Sequence, residues 1–172
     1  MSASMDAPSA RIITMWRRLR GLPGGRWLFS KLIGWMAPYT GTVGARIADL
    51  GPGYSRWTLR DRRRVRNHLR SVHAVALVNL AEVASGTAML AGLPAGTRGI
   101  VRGLSIDYLK KARGTLTAEC RCAPPAVTAE TDYSVTATIA DGSGDLVATA
   151  TVLWRLAPAS TGSADAPTPS QS

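Results

Sequence analysis

Apolar positions recur with two periods along this chain, and the change of period divides it. From Arg11 to Met36 they fall three or four apart: Ile12, Met15, Trp16 and Leu19, then Leu28, Phe29, Leu32, Ile33 and Met36. Gly-Leu-Pro-Gly-Gly at 21–25 separates the two runs. The spacing predicts two short amphipathic helices within 11–36, arginines on their outer side, the second ended by Pro38. They read as caps on a core, with a membrane-surface anchor as the lesser alternative.

Period two follows. Val43, Ala45 and Ile47 alternate with Arg46, Leu-Gly-Pro-Gly at 50–53 turns the chain, and Ser55, Trp57 and Leu59 alternate with Tyr54, Arg56 and Thr58. This predicts a hairpin. Arg60 to Arg70 reads as a basic irregular segment. Residues 73–92 then form the longest predicted helix, with small or apolar residues on nearly every side, so it must be buried on most of them.

After Gly92-Leu93-Pro94 the alternation returns. At 99–108, Ile100, Arg102, Leu104, Ile106 and Tyr108 share one predicted face. Strands are also predicted at 115–122, 131–140 and 145–155, with Asp-Gly-Ser-Gly at 141–144 as a hairpin loop. The sum is an α+β chain: a largely antiparallel sheet with one long helix packed on it, in a single domain over 11–156. Residues 1–10 read as a flexible leader. Residues 157–172, rich in Ala, Ser, Thr and Pro, read as a disordered tail. One helix over one sheet leaves the helix's outer side wet, which this composition does not tolerate, so a dimer or tetramer is expected.

Charge narrows the partners. The chain has 172 residues, is 45% hydrophobic and carries a formal net charge of +10. An anionic partner is implied: a phosphate-bearing ligand, nucleic acid or an anionic membrane face. No aromatic platforms interleave with the arginines, which disfavours nucleic acid. Asn79 and Glu82 at the centre of 74–93 argue against a membrane-spanning helix. Cys120 and Cys122 stand two apart with no further pair, as reduced thiols of a cytoplasmic protein would, and no metal site is expected.

The candidate chemistry gathers around the long helix. His73 stands at its start and Glu82 nine residues on, about 13.5 Å along the axis and about 180° around it. They cannot form a local pair on one helix. They serve different sites, or a symmetric dimer brings one chain's His73 towards the other's Glu82. Free N–H groups at the helix start can polarise a thioester or ester oxygen. Asn67 precedes His73 by six residues and is placed to orient a water or a carbonyl, or simply to satisfy its loop.

"NHLRSVHAVALVNLAEVASG" followed by "GLSIDYLKKARGTLTAEC" resembles the hotdog-fold thioesterase superfamily, in particular its phenylacetate-pathway group and a related uncharacterised branch. Asn67, His73 and Glu82 match that group's loop Asn, helix-start His and helix acid. The resemblance covers roughly residues 40–155. It implies a curved antiparallel sheet wrapped round one helix, and paired chains with sites at their interface. The implied activity is hydrolysis of acyl-coenzyme A thioesters, with no further cofactor. Glu82 would be general base or nucleophile, the Val75 amide the oxyanion contact, and Asn67 a positioning group. Arg60, Arg62, Arg63, Arg64 and Arg66, with Lys110, Lys111 and Arg113, would meet coenzyme A phosphates or remain solvated. Leu77, Leu80 and Met89 would line an acyl tunnel or merely face the sheet. His73-Ala74-Val75 stands where the family has His-Gly-Gly, and Glu82 where Asp is commoner. These departures keep a second reading open: an acyl-CoA or hydrophobic-ligand binder without catalysis.

Overall fold

The computed structural model describes residues 8–159. The elements, in order, are α1 (Pro8–Leu19), α2 (Gly25–Met36), α3 (Pro38–Val43), β1 (Arg46–Gly51) and β2 (Tyr54–Arg60). A single 3-10 turn at Arg63–Val65 leads to α4 (Ala74–Gly92), followed by β3 (Thr97–Tyr108), β4 (Thr115–Arg121), β5 (Thr131–Ala140) and β6 (Leu146–Pro158). Six strands form one antiparallel sheet in the order β1-β2-β4-β5-β6-β3. α4 touches all six, so the sheet curves round it in the hotdog arrangement.

Composition explains why α4 sits there. Of its 19 residues, 12 are buried, including Leu77, Leu80, Ala84 and Met89. Its length and hydropathy would suit a membrane span, but two thirds of that stretch is already enclosed by this sheet and its flanking helices. Two buried polar links fix its register. Trp57 donates its indole N–H to Thr87 Oγ1 at 2.9 Å, and Ser55 donates to the Ala84 carbonyl at 2.6 Å. Each leaves no orphaned donor on β2, an arrangement worth about 1 kcal/mol net per bond.

The N-terminal helices close one end. Trp16 and Phe29 meet edge to face, 5.3 Å between centroids, tying α1 to α2. Ser30 Oγ accepts from the Ile47 N–H at 2.9 Å, which ties α2 to β1. α1 and α3 also pack on α4. The helix's outer side is therefore largely covered by the chain's own N-terminal segment, not left wet as expected. What remains uncovered is a stripe: Val75 and Glu82 are exposed, and Val78, Gly86 and Leu90 half-buried.

Other expectations shift for local reasons. Pro38 does not simply end a helix; it is the first residue of α3, where its missing N–H costs nothing. Val43 therefore closes a helix, and β1 begins three residues later. In β3 the register slips between Val101 and Gly103, a bulge that the reading of one continuous face omitted. Val101 before it, and Leu104 and Ile106 after it, pack on the core, while Ile100 is 67% exposed. β6 runs to Pro158, with Ala157 buried, so the expected tail loses its first two residues. α1 begins at Pro8, inside the expected leader. The rest of both segments, 1–7 and 160–172, lies outside the described residues. At Gly53 φ is +64° and a Cβ would stand 2.0 Å from the Cys122 carbonyl, so the β1–β2 turn accepts glycine alone.

Candidate functional site

The loop before α4 is built by Asn67. Its Oδ1 accepts from the Leu69 N–H at 3.0 Å and the Ser71 N–H at 3.2 Å, and its backbone N–H donates to the Ser71 carbonyl. Both lone pairs of the amide oxygen are thus used in closing the loop, leaving only its N–H groups for other partners. The Ala112 carbonyl fastens the loop from outside, accepting from Val72 N–H at 2.8 Å and Ser71 Oγ at 2.9 Å. His73 N–H then donates to Val65 O at 2.7 Å. Loop, turn and the segment after β3 together set where α4 starts.

His73 is the N-cap of α4. Its extended backbone ends the loop, and its Nδ1 accepts from the Val75 N–H at 3.1 Å. An accepting Nδ1 leaves Nε2 as the ring's donor. The Val75 amide, expected to face a ligand, is thus occupied by the cap. The Ala74 N–H, one residue earlier, has no acceptor among the described residues. It stands at the positive end of the helix dipole. Tyr108 Oη donates to the Ala74 carbonyl at 3.4 Å.

His73 and Val75 border a cleft of about 420 Å³, whose other walls are Tyr39 and Thr42 of α3 and the arginines Arg64 and Arg66. Asn67 does not line it. Glu82 lies on the same exposed stripe as Val75, seven residues on, about 10.5 Å along the axis. Within one chain it is outside the cleft, and its carboxylate makes no hydrogen bond or ion pair among the described residues. The structure thus joins His73, Val75, Arg64 and Arg66 in one chain and leaves Glu82 apart.

The remaining basic residues divide. Lys110 Nζ is held by Asp141 at 2.6 Å and Asp145 at 2.7 Å, which removes it from the set awaiting an anion. Arg66 Nε is matched by Asp61. Arg60 and Arg62 line a separate recess of about 320 Å³. Arg63, Lys111 and Arg113 are exposed and form no ion pair among the described residues. Leu77, Leu80 and Met89 are at most 3% exposed and belong to the core. They border neither the His73 cleft nor the Arg60 recess, and within one chain they pack in the core.

Asp61 escaped the sequence reading, though it is the one acid within the arginine run. Its carboxylate takes Arg66 and the Gly114 N–H, joining the arginine turn to the segment after β3. The hydrogen bond from Arg66 holds its carboxyl below the ordinary range, helped by Gly114 and Arg113 and opposed by burial. A depressed folded-state pKa contributes stability above the ordinary carboxylate range, lost as pH falls through it to the folded value. Asp61→Asn is therefore expected to lower Tm at neutral pH and to flatten the fall of Tm below about pH 4. Thermal unfolding across pH checks this; parallel acid limbs for the two proteins would contradict it. Tyr39 and Thr42 were also missed, because 38–43 was read as leading into a strand.

Among the described residues no group of His, Cys, Asp or Glu is clustered as metal ligands would be. Cys120 and Cys122 are free thiols on β4. The neighbouring Cys122 and burial push the Cys120 thiol up.

A family model described as a domain of unknown function, DUF4442, matches residues 25–156. No curated protein matches the chain. A genomics crystal structure, APC5556, is 32% identical, covers 87% of this chain and 100% of its own, and superposes with a TM-score of 0.76. A Pseudomonas aeruginosa protein of unknown function, described as a probable thioesterase, is 24% identical over 80% of this chain and 97% of its own, TM-score 0.67. A Streptococcus mutans protein bound to acetyl CoA is 22% identical over 66% of this chain and 88% of its own, TM-score 0.57. At these identities the last two establish a common fold.

Proposed function

The chain belongs to the DUF4442 family, and on that footing we propose that two copies of it form a composite site that hydrolyses acyl-coenzyme A thioesters. The carrying observation is Glu82: an exposed, unpartnered carboxylate on the uncovered stripe of an otherwise enclosed helix. A carboxylate flanked by Val78, Gly86 and Leu90 suits a surface that meets a second copy, with a task for the acid there.

The sheet edges favour the same pairing. β1 is bulged between Ile47 and Asp49 and is tied to α2 through Ser30, which blunts it. β3, 12 residues long, is the open edge. A two-fold axis beside β3 and near Val78 would set Glu82 opposite its partner's Val75, because those positions lie evenly about it. Gly86, where a Cβ meets nothing within 4 Å, leaves room for the second backbone.

In the proposed reaction, Glu82 of one copy takes a proton from water as the water oxygen bonds to the thioester carbon. The carbonyl oxygen gains negative charge beside the Ala74 N–H of the other copy and its helix dipole. The C–S bond then breaks, and the sulfur leaves with the proton returned from Glu82. Glu82 as direct nucleophile would give a mixed anhydride that water then opens. Arg64 in the cleft and Arg60 and Arg63 beyond it supply charge for coenzyme A phosphates.

One observation favours a second reading, a binder without turnover: the His73 cap already holds the Val75 N–H. A thiol-release assay over a panel of acyl-CoA chain lengths decides between them. Release of free coenzyme A supports hydrolysis. Saturable acyl-CoA binding with no thiol released supports the binder.

A further inference from the structure

The side of α2 turned away from the sheet breaks the pattern that its buried side keeps. Trp27, Leu28, Lys31 and Trp35 lie within about 100° of the helix circumference, facing away from Phe29 and Ile33. Trp35 is 82% exposed, Met36 just beyond it 69%, and Trp27 49%. Tyr39 at the start of α3 continues the patch. A helix that faces only water carries polar residues there, and a contiguous aromatic and aliphatic surface marks a contact. The proposed pairing does not use it. α2 packs on β1, and β1 and β3 are opposite edges of the sheet, roughly 24 Å apart as measured along its curve at ordinary strand spacing.

The surrounding charge identifies the partner's chemistry. Lys31 Nζ sits 5.9 Å from the Trp27 ring centroid. Trp27 and Trp35 form one wall of a cleft of about 530 Å³ whose opposite wall is Arg46, Arg62 and Arg64. None of those three arginines is in an ion pair among the described residues. Burial, then the charges of Arg64, Arg46 and Arg60, lower the Arg62 pKa, a crowding that an anion relieves. Tryptophans beside aliphatic side chains, with cations at their border, match the interfacial layer of a membrane. Bases stack on aromatic rings but have no use for Leu28 and Met36, which sets nucleic acid aside.

We propose that this face of α2 docks on an anionic lipid bilayer, with Trp27 and Trp35 at the headgroup level and Arg46 and Arg62 facing lipid phosphates. The inference stands on the patch itself and not on the thioester reading. The test mixes the full chain with vesicles of phosphatidylcholine alone, or of phosphatidylcholine with phosphatidylglycerol, and pellets them. The chain is expected to pellet with the anionic vesicles, with tryptophan emission moving to the blue. The double variant Trp27→Ser/Trp35→Ser is expected to partition at least about tenfold more weakly. Both side chains are exposed, so an unaltered Tm certifies its fold. Arg46→Glu/Arg62→Glu is expected to lose the preference for anionic vesicles. Absence of pelleting with anionic vesicles overturns the proposal. So does pelleting that the tryptophan variant leaves unchanged. A changed oligomeric state in that variant also overturns it, by making the face a protein interface.

Discussion

Glu82→Gln is expected to lower thiol release by at least about a hundredfold while Tm and acyl-CoA affinity stay near those of the parent. The expectation comes from where Glu82 stands. In one chain its carboxylate is exposed and touches no partner, so exchanging it for an amide removes no contact that holds the fold. Surface changes of that kind alter stability by about 0.5 kcal/mol or less. An amide keeps the shape and the hydrogen-bonding reach but neither takes a proton from water nor attacks a carbonyl. Loss therefore falls on kcat, with KM little altered. Steady-state kinetics on the panel's best acyl-CoA make the measurement. A variant with parental kcat would remove Glu82 from the reaction and leave the second reading, ligand binding alone, in possession of the site.

Val78→Arg separates two chains that the wild-type stripe would hold together. Val78 is half-buried in the protomer, four residues before Glu82, where the proposed axis passes. Arginine is a better helix former than a β-branched residue, so the isolated fold tolerates it. Across a two-fold axis, however, the substitution sets two guanidinium groups against each other, and like charges so placed cost several kcal/mol of association. At micromolar concentration the variant is expected to sediment as a folded monomer and to lose most of its turnover, at least about tenfold. A variant that stays paired and active would place the interface elsewhere.

How much of this was legible beforehand depends on the kind of signal each element carries. α4 stood out because Ala, Leu and Val dominate from 74 onwards, and most strands because alternation survives along them. The same apolar uniformity hid which side of α4 was lined by what. With no polar face to orient the helix, Leu77, Leu80 and Met89 were as plausible beside a ligand as against the sheet, and within one chain they are buried in the core. The slip between Val101 and Gly103 was invisible because one extra residue changes the face without changing the composition. α3 was missed because a proline closing one helix and a proline opening the next read alike. At the site, the spacing of Asn67, His73 and Glu82 pointed to one loop and one helix start, and in the structure Asn67 closes that loop and His73 caps that helix. It could not reveal that His73 Nδ1 caps Val75, which depends on a side-chain rotamer. Nor did it reveal that Lys110 is matched by Asp141 and Asp145, acids more than thirty residues away that meet it only in the fold.

In the proposed dimer each site takes its acid from one chain and its helix start from the other. Ala74→Asp places a carboxylate at the free amide where the thioester oxygen must sit, in a first turn that accepts acidic residues readily. That variant and Glu82→Gln are each expected to be inactive alone. Unfolded together and refolded as an equal mixture, they form pairs of which about half are mixed, and each mixed pair holds one site with both parts intact. Recovery of about a quarter of wild-type thiol release is expected in that mixture. Mixed pairs that form and yet release no thiol would contradict it, placing acid and helix start in the same chain.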